Sequence, residues 1–208
     1  MAPKAGTGQV EMIRVLRVAR QTAIRARTQA INALKALLVT APAELREQLR
    51  DLPTATLVAA AAALVPGPIT SPLAAALLAL RTLARRHQAL NLEIKTLTAE
   101  LDRLTATAAP ELVALFGIGQ DNASALLVAA GDNPQRLRSE ACFAMLCGSS
   151  PIQASSGKTV RHRLNRGGDR QANAALYRIV LVVNRRCRTS KIINLVDFDE
   201  QRKRHIVA

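Results

Sequence analysis

Two adjacent hydroxyls lead a run of cations in the stretch Ala154-Ser155-Ser156-Gly157-Lys158-Thr159-Val160-Arg161-His162-Arg163-Leu164-Asn165-Arg166-Gly167-Gly168-Asp169-Arg170. These residue types at this spacing suit chemistry at a phosphodiester. A serine oxygen can attack phosphorus, and guanidinium groups can neutralise the non-bridging oxygens as charge builds on them. Arginine serves better than lysine here because its planar fork holds a phosphate through two hydrogen bonds. Ser155 and Ser156 are therefore candidate nucleophiles. Lys158, Arg161, Arg163, Arg166 and Arg170 are candidate phosphate ligands. A plainer role fits the same residues. Ser-Ser-Gly is a common loop tripeptide, and a run of arginine is often a solvated or nucleic-acid-binding face without catalysis. Ser156-Gly157-Lys158-Thr159 has the closing residues of a phosphate-binding P-loop. However, Pro151 and Ile152 stand where its first glycine belongs and no apolar strand leads into it, so that reading is rejected.

The totals bound the partner. The 208 residues carry a formal net charge of +14, which favours a polyanion. Aromatic residues are only 2%, with no Trp, which argues against a single-strand binder built on base stacking. They also predict an aliphatic, helical core. The three cysteines, Cys142, Cys147 and Cys187, lack paired metal-ligand spacing, so no metal site is expected and a reduced, cytoplasmic setting is. The N-terminus has no signal-peptide apolar stretch, and the run Leu57 to Val65 falls short of the roughly 20 residues that cross a bilayer. No membrane partner is expected.

The elements that must position the serines are helical. Residues 1–8 read as a disordered N-terminus and 9–107 as a coiled-coil or helical region. Within it, a long helix over about 9–39 shows a heptad seam of Met12, Leu16, Ala19, Ala23, Ala26, Ala30, Ala33 and Leu37, a stripe widened by Ile13, Ile24, Ile31, Leu34 and Leu38, with arginines on its other faces. Short helices follow at 43–52 and 54–65, and Pro66-Gly67-Pro68 is a hinge. A second long helix over 72–106 carries Leu73, Leu77, Leu80, Ala84, His87, Leu90, Ile94, Leu97, Leu101 and Leu104 on one stripe. The two long helices are natural hairpin partners, within one chain or between two copies. Past Pro110, a helix over 111–116, Gly117-Ile118-Gly119 and a helix over 121–130 have the pattern of a helix-hairpin-helix unit. Its glycines permit a tight turn, and its amides can meet a phosphate. A further helix spans 139–147. A loop over 148–157 carries the serines, 160–164 forms a short strand, Arg166 to Asp169 a turn, and 170–187 the last helix. The fold class is mainly α: a long-helix coiled-coil hairpin followed by a small helical domain with a helix-hairpin-helix unit and a serine/arginine-rich loop.

One ordered series now points to a family. Gly117-Ile118-Gly119 and Ala125-Leu126-Leu127 are followed by Gly131-Asp132, Arg138-Ser139 and Phe143-Ala144. Cys147-Gly148, Ser155-Ser156-Gly157 and Arg161 to Arg170 complete it. It resembles the C-terminal domain of the IS110/IS116/IS902 family of bacterial insertion-sequence transposases, over residues 110–189. The long helices resemble the coiled-coil segment that precedes that domain. The resemblance implies DNA recombination directed by a structured element-encoded RNA. It also implies an RNase H-like domain with a four-acid site for a divalent metal, joined by a serine that becomes a covalent phosphoserine. The serine carries over onto Ser156 first and Ser155 second. DNA contacts carry over onto Gly117, Gly119, Lys158, Arg161, Arg163, Arg166 and Arg170.

Two departures qualify the carry-over. The RNase H-like domain is missing, and the fifteen Asp and Glu are scattered, so no cofactor is expected within this chain. The tail over 190–208 diverges from the family's basic helix. The expectation is a truncated transposase that binds DNA, carries the serine half of a composite site and is inactive alone. DNA and a guide RNA would be its partners, in a homodimer or larger oligomer built by the long helices and associated with the nucleoid. The alternatives are a non-catalytic DNA- or RNA-binding module and a helix-hairpin-helix repair-type protein.

Overall fold

A computed structural model describes residues 3–187; the expected divergent tail lies outside the described residues. The chain is mainly helical. In order it forms α1 (Gln9–Thr40), α2 (Ala43–Leu49), α3 (Thr54–Ala63), α4 (Pro72–Ala108), α5 (Pro110–Ala114), α6 (Gln120–Ala130), a 3-10 turn (Pro134–Arg136), α7 (Glu140–Leu146), β1 (Ile152–Gln153), β2 (His162–Arg163) and α8 (Arg170–Cys187). It divides into two compact units. One is Met12–Arg103; the other combines the described residues up to Glu11 with the described residues from Leu104 onward.

In the Met12–Arg103 unit α1 and α4 run antiparallel. Arg27 donates to Asn91 Oδ1 at 2.8 Å, while farther along α1 Leu34 and Leu38 share a core with the earlier α4 residues Leu80 and Ala84. That core also takes Leu45 and Leu49 of α2 and Leu57, Val58 and Ala61 of α3. Two long helices alone would leave their ends half wet. The short helices between Pro42 and Pro66 fold over that end, and each buried leucine contributes on the order of 2 kcal/mol. Proline sets the start of each short helix at the position before it, since Pro42 and Pro53 keep an extended ψ (144° and 148°) at the ring-fixed φ of −49° and −54°. Ser71 Oγ accepts from Ala74 N at 3.2 Å and caps α4, as its position before Pro72 predicts.

The seam of α4 follows the sequence reading: Leu80, Ala84, Leu101 and Leu104 are buried, and His87, Leu90, Ile94 and Leu97 half-buried, while Leu73 is exposed. The seam of α1 follows it in part, with burial moved from the expected heptad onto the flanking aliphatics Ile13, Leu34 and Leu38. Met12, Ala19, Ala33 and Leu37 are exposed, and the buried residues are Ile13, Ala23, Ala30, Leu34 and Leu38. One half of the expected heptad shifts by a residue, from 12, 19, 26 and 33 to 13, 20, 27 and 34. Larger aliphatic side chains gain more by burial than alanines do, so Ile13 and Leu34 turn inward. Arg20 and Arg27 then fall on the seam, half-buried, and Arg27 meets Asn91 of α4 there.

In the second unit α6, α7 and α8 enclose a small core of Ala125, Leu126, Ala129, Cys147, Ala172 and Ala175, with Phe143, Leu146, Leu176 and Ile179 against it. Alanines at the centre let α6 and α8 approach closely. Residues 3–8, where the sequence predicts disorder, are hydrogen-bonded to the end of α6. Lys4 Nζ donates to Val128 O at 2.9 Å, and Asn133 bonds Ala5 N at 2.9 Å and Pro3 O at 3.0 Å. Asp132 accepts from Gly8, Val10 and Glu11 amides at 3.1, 2.8 and 3.2 Å. The cap of α1 thus comes from a carboxylate more than a hundred residues away, near the positive end of the helix dipole.

Candidate functional site

The serine stretch is a β-hairpin arm held at its base by two glycines. Gly148 follows buried Cys147 at φ 69°, in the left-handed region. A Cβ on Gly168 would run into the Gly148 backbone and the Cys147 carbonyl carbon, so the two glycines let the strands of the base touch. Asp169 N donates to Leu146 O at 2.7 Å, and Asn165 Nδ2 to Met145 O at 3.0 Å. Asn165 Oδ1 accepts from Gly167 N at 3.0 Å and shapes the turn. Asp169 Oδ1 then caps α8 through Gln171 N and Ala172 N at 2.9 and 3.1 Å. Both legs of the arm are therefore tied to the α7–α8 junction. Burial, then the nearby Asp169 carboxylate, pushes the Cys147 thiol up to about 11, so it is an inert core group.

Beyond this base the expected loop over 148–157 is instead one side of the hairpin. Ile152 pairs with Arg163 and Gln153 with His162, antiparallel. Ala154 N donates to Arg161 O at 2.8 Å, and Ser156 and Thr159 exchange both backbone bonds, at 3.2 and 3.1 Å. A two-residue loop, Gly157-Lys158, closes the arm, with Gly157 at φ 57° where such turns need a positive φ. The strand is shorter than the expected 160–164, since regular pairing spans His162–Arg163.

This register sorts the side chains. Alternation along each strand puts Ala154, Ser156, Thr159, Arg161 and Arg163 on one face, and Gln153, Ser155, Val160 and His162 on the other. Ser156 shares its face with two arginines. Ser155 does not, and its hydroxyl is engaged: it accepts from Gln153 Nε2 at 3.2 Å and from Arg161 N at 3.3 Å. Lys158 sits at the tip. Arg166 stands in the turn before α8 and Arg170 at its start. All five cations are exposed.

The other candidate DNA contacts lie at the α5–α6 junction. Gly117 has φ 86°, and a Cβ there would meet Val183 Cγ2 at 3.0 Å, so this glycine lets the turn pack on α8. Gly119, extended (φ −79°, ψ 162°), precedes α6 with nothing near its Cα face. Two arginines of the last helix, which the sequence reading placed along its length without a site role, lie beside this junction. Arg178 donates to Asn122 Oδ1 at 2.8 Å and pairs with Asp121 at 3.5 Å, and the Arg186 guanidinium lies 4.1 Å from the Phe116 ring centroid. Arg136 serves α6 instead, donating to Ala130 O and Ala129 O at 2.9 and 3.0 Å. Gln153 was also missed. A Gly-Lys loop between Gln-Ala-Ser-Ser and Thr-Val-Arg-His was the available signal, because hairpin pairing places residues two apart on one face.

Among the described residues, no group of three His, Cys, Asp or Glu side chains is placed to hold a metal ion. Nor is any described helix long and apolar enough to cross a membrane.

Comparison with known proteins adds one finding. Residues 109–196 match the model of the Transposase IS116/IS110/IS902 family. The match runs seven residues past Thr189, where the sequence reading put its end. No curated protein and no solved structure matches the chain.

Proposed function

We propose that this chain, whose residues 109–196 match the model of the Transposase IS116/IS110/IS902 family, takes part in DNA transposition, grips DNA through its hairpin arm and presents Ser156 as the nucleophile of a composite site. One observation supports this above others: the hairpin register puts Ser156 on the face of Arg161 and Arg163. In the reaction the Ser156 oxygen bonds to phosphorus, its proton leaving to a base. The bridging oxygen of the cleaved strand departs and takes up a proton. The arginines neutralise the non-bridging oxygens as charge accumulates there. The phosphoserine ester preserves the phosphodiester's energy, and the reverse attack by a strand hydroxyl releases the serine. Lys158, Arg166 and Arg170 extend the phosphate track, and the amides past Gly119 add a helix-hairpin-helix contact. No acid cluster accompanies Ser156 among the described residues, so the acid-bearing half of the site comes from elsewhere and the chain alone binds without recombining.

The long helices supply the assembly in this reading. Met12, Val15 and Val18 are exposed on α1, an apolar surface suited to a second copy in a coiled-coil arrangement. A structured RNA is a further partner of the same basic surface.

The test is a covalent-adduct assay on duplexes bearing an element end, with an acid-bearing transposase half supplied in trans. Wild type should yield a denaturation-resistant protein–DNA adduct mapping to Ser156, and Ser156→Ala none, with DNA affinity unchanged. An undiminished adduct from Ser156→Ala, or recombination by the purified chain alone, would overturn the proposal. The second reading, a binding module without catalysis, is favoured by the exposure of all five cations. It requires that Ser156→Ala change nothing measurable.

A further inference from the structure

Ser155 occupies an unusual place in the ladder. Ala154 and Arg161 are directly paired, and Ala154 N donates to Arg161 O at 2.8 Å. The reciprocal bond would run from Arg161 N to Ala154 O. Instead Arg161 N donates to Ser155 Oγ at 3.3 Å, and that hydroxyl also reaches Arg161 O at 3.5 Å. Gln153 Nε2 donates to the same oxygen at 3.2 Å. The hydroxyl thus clasps the opposite strand one residue before Ser156, and a carboxamide two residues upstream holds the hydroxyl. All of this occurs on the face away from the arginines.

The clasp matters because the arm has little else to fix its pairing. Regular strand spans two residues on each side, and an isolated two-stranded hairpin is marginal in water. A slip of one residue would turn every side chain of one strand to the other face. Ser156 would then lose Arg161 and Arg163 as neighbours while remaining in the arm.

Resting on the reading that this arm binds DNA, we infer that Ser155 is a positioning residue rather than a nucleophile: with Gln153 it pins the hairpin register and so holds Ser156 toward a DNA phosphate. The sequence left both serines open as nucleophiles. Their hydrogen bonding assigns them different roles.

The test does not depend on catalysis. It uses the full chain and a duplex carrying a thiol-reactive haloacetyl group on one backbone phosphorothioate. Ser156→Cys should become crosslinked well above the wild-type background from native cysteines. Adding Ser155→Ala or Gln153→Ala to Ser156→Cys should slow crosslinking roughly three- to tenfold, the loss expected for one or two modest hydrogen bonds. The dissociation constant and its salt dependence should not move. Adding Ser155→Thr, which keeps the hydroxyl and favours a strand, should restore the rate. The Ser155→Cys single variant should label at least roughly tenfold more slowly than Ser156→Cys. Equal rates for Ser156→Cys with and without Ser155→Ala would overturn the inference. So would Ser155→Cys labelling as fast as Ser156→Cys, or Ser156→Cys staying at background while DNA is bound. Absence of any DNA binding by the wild type would remove the underlying reading first, a separate and recognisable result.

Discussion

Three glycines in the unit that carries the arm have different reasons to be glycine, and substitution separates them. Gly168 has no room, because the Gly148 backbone lies where its Cβ would be. Gly168→Ala must push the two legs of the arm apart, and a thermal or denaturant melt should register a loss of about 1–3 kcal/mol. Gly157 has open space but φ 57°, so Gly157→Ala should cost about 1 kcal/mol of hairpin order, seen as faster exchange of the Thr159 amide, with little effect on the melt. Gly119 has open space and an ordinary φ of −79°. Gly119→Ala should leave stability within about 0.5 kcal/mol, so any loss of DNA affinity there reports crowding at a bound phosphate. Cys147 gives a pH test at the same scale. Its folded value of about 11 lies above the ordinary 9, so the native state keeps a proton that the unfolded chain releases between those values. Stability from this group is present below about pH 9 and is lost as pH rises toward 11. Cys147→Ala should flatten that part of the stability profile. Thiol reagents at pH 8 should modify Cys142 and spare Cys147 until the chain unfolds.

Among the elements, the long helices were the most legible in sequence and the arm the least. Proline and serine mark the start of α4, and ten seam positions at three- and four-residue spacing leave one rotation for it. The same logic misplaced half of the α1 seam because alanines at 19, 26 and 33 mimic a heptad, while arginines at 20 and 27 look like surface. Their burial depends on the α4 partner, Asn91 for Arg27, which a one-dimensional pattern does not contain. The hairpin was hidden for a different reason. Its regular strands are two residues long, too short for alternation to register, and its closure depends on Gly148 meeting Gly168 twenty residues away. The α1 cap by Asp132 is equally non-local. What the sequence did carry was the residue types gathered on the arm, since serines and arginines announce themselves by type. His87 tests the polar middle of the helix pair. Burial first, and then the charge of Arg27, lowers its pKa from 6.5. The neutral ring is therefore the form that folds best. The stability it contributes is present above about pH 6.5 and is lost as pH falls below that value. Circular dichroism melts between pH 7.5 and 5 should show this decline, and His87→Gln should diminish it.

At the scale of the molecule, the two hydrophobic cores found among the described residues share no residue. One gathers Leu34, Leu38, Leu80 and their neighbours from α1 to α4, the other Ala125, Ala129, Cys147 and Ala172 from α6 to α8. Each is small and aliphatic, so each resists unfolding by a modest margin of its own. The division between the units falls inside α1 and α4 rather than at a linker. A chain built this way should depart from a single cooperative transition. Scanning calorimetry should resolve two components or one broadened beyond its van't Hoff width. Gly168→Ala should lower only the component that contains the arm, and acidification through the His87 range only the other. Salt offers an independent assignment. With a net charge of +14, a bound duplex should raise the melting temperature of the arm-bearing component most at low ionic strength, and log affinity should fall linearly with log salt. Arg161→Ala and Arg163→Ala should each reduce that slope by about 1 if each guanidinium neutralises one phosphate. If one sharp transition moved as a whole under every one of these perturbations, the two cores would be a single cooperative body.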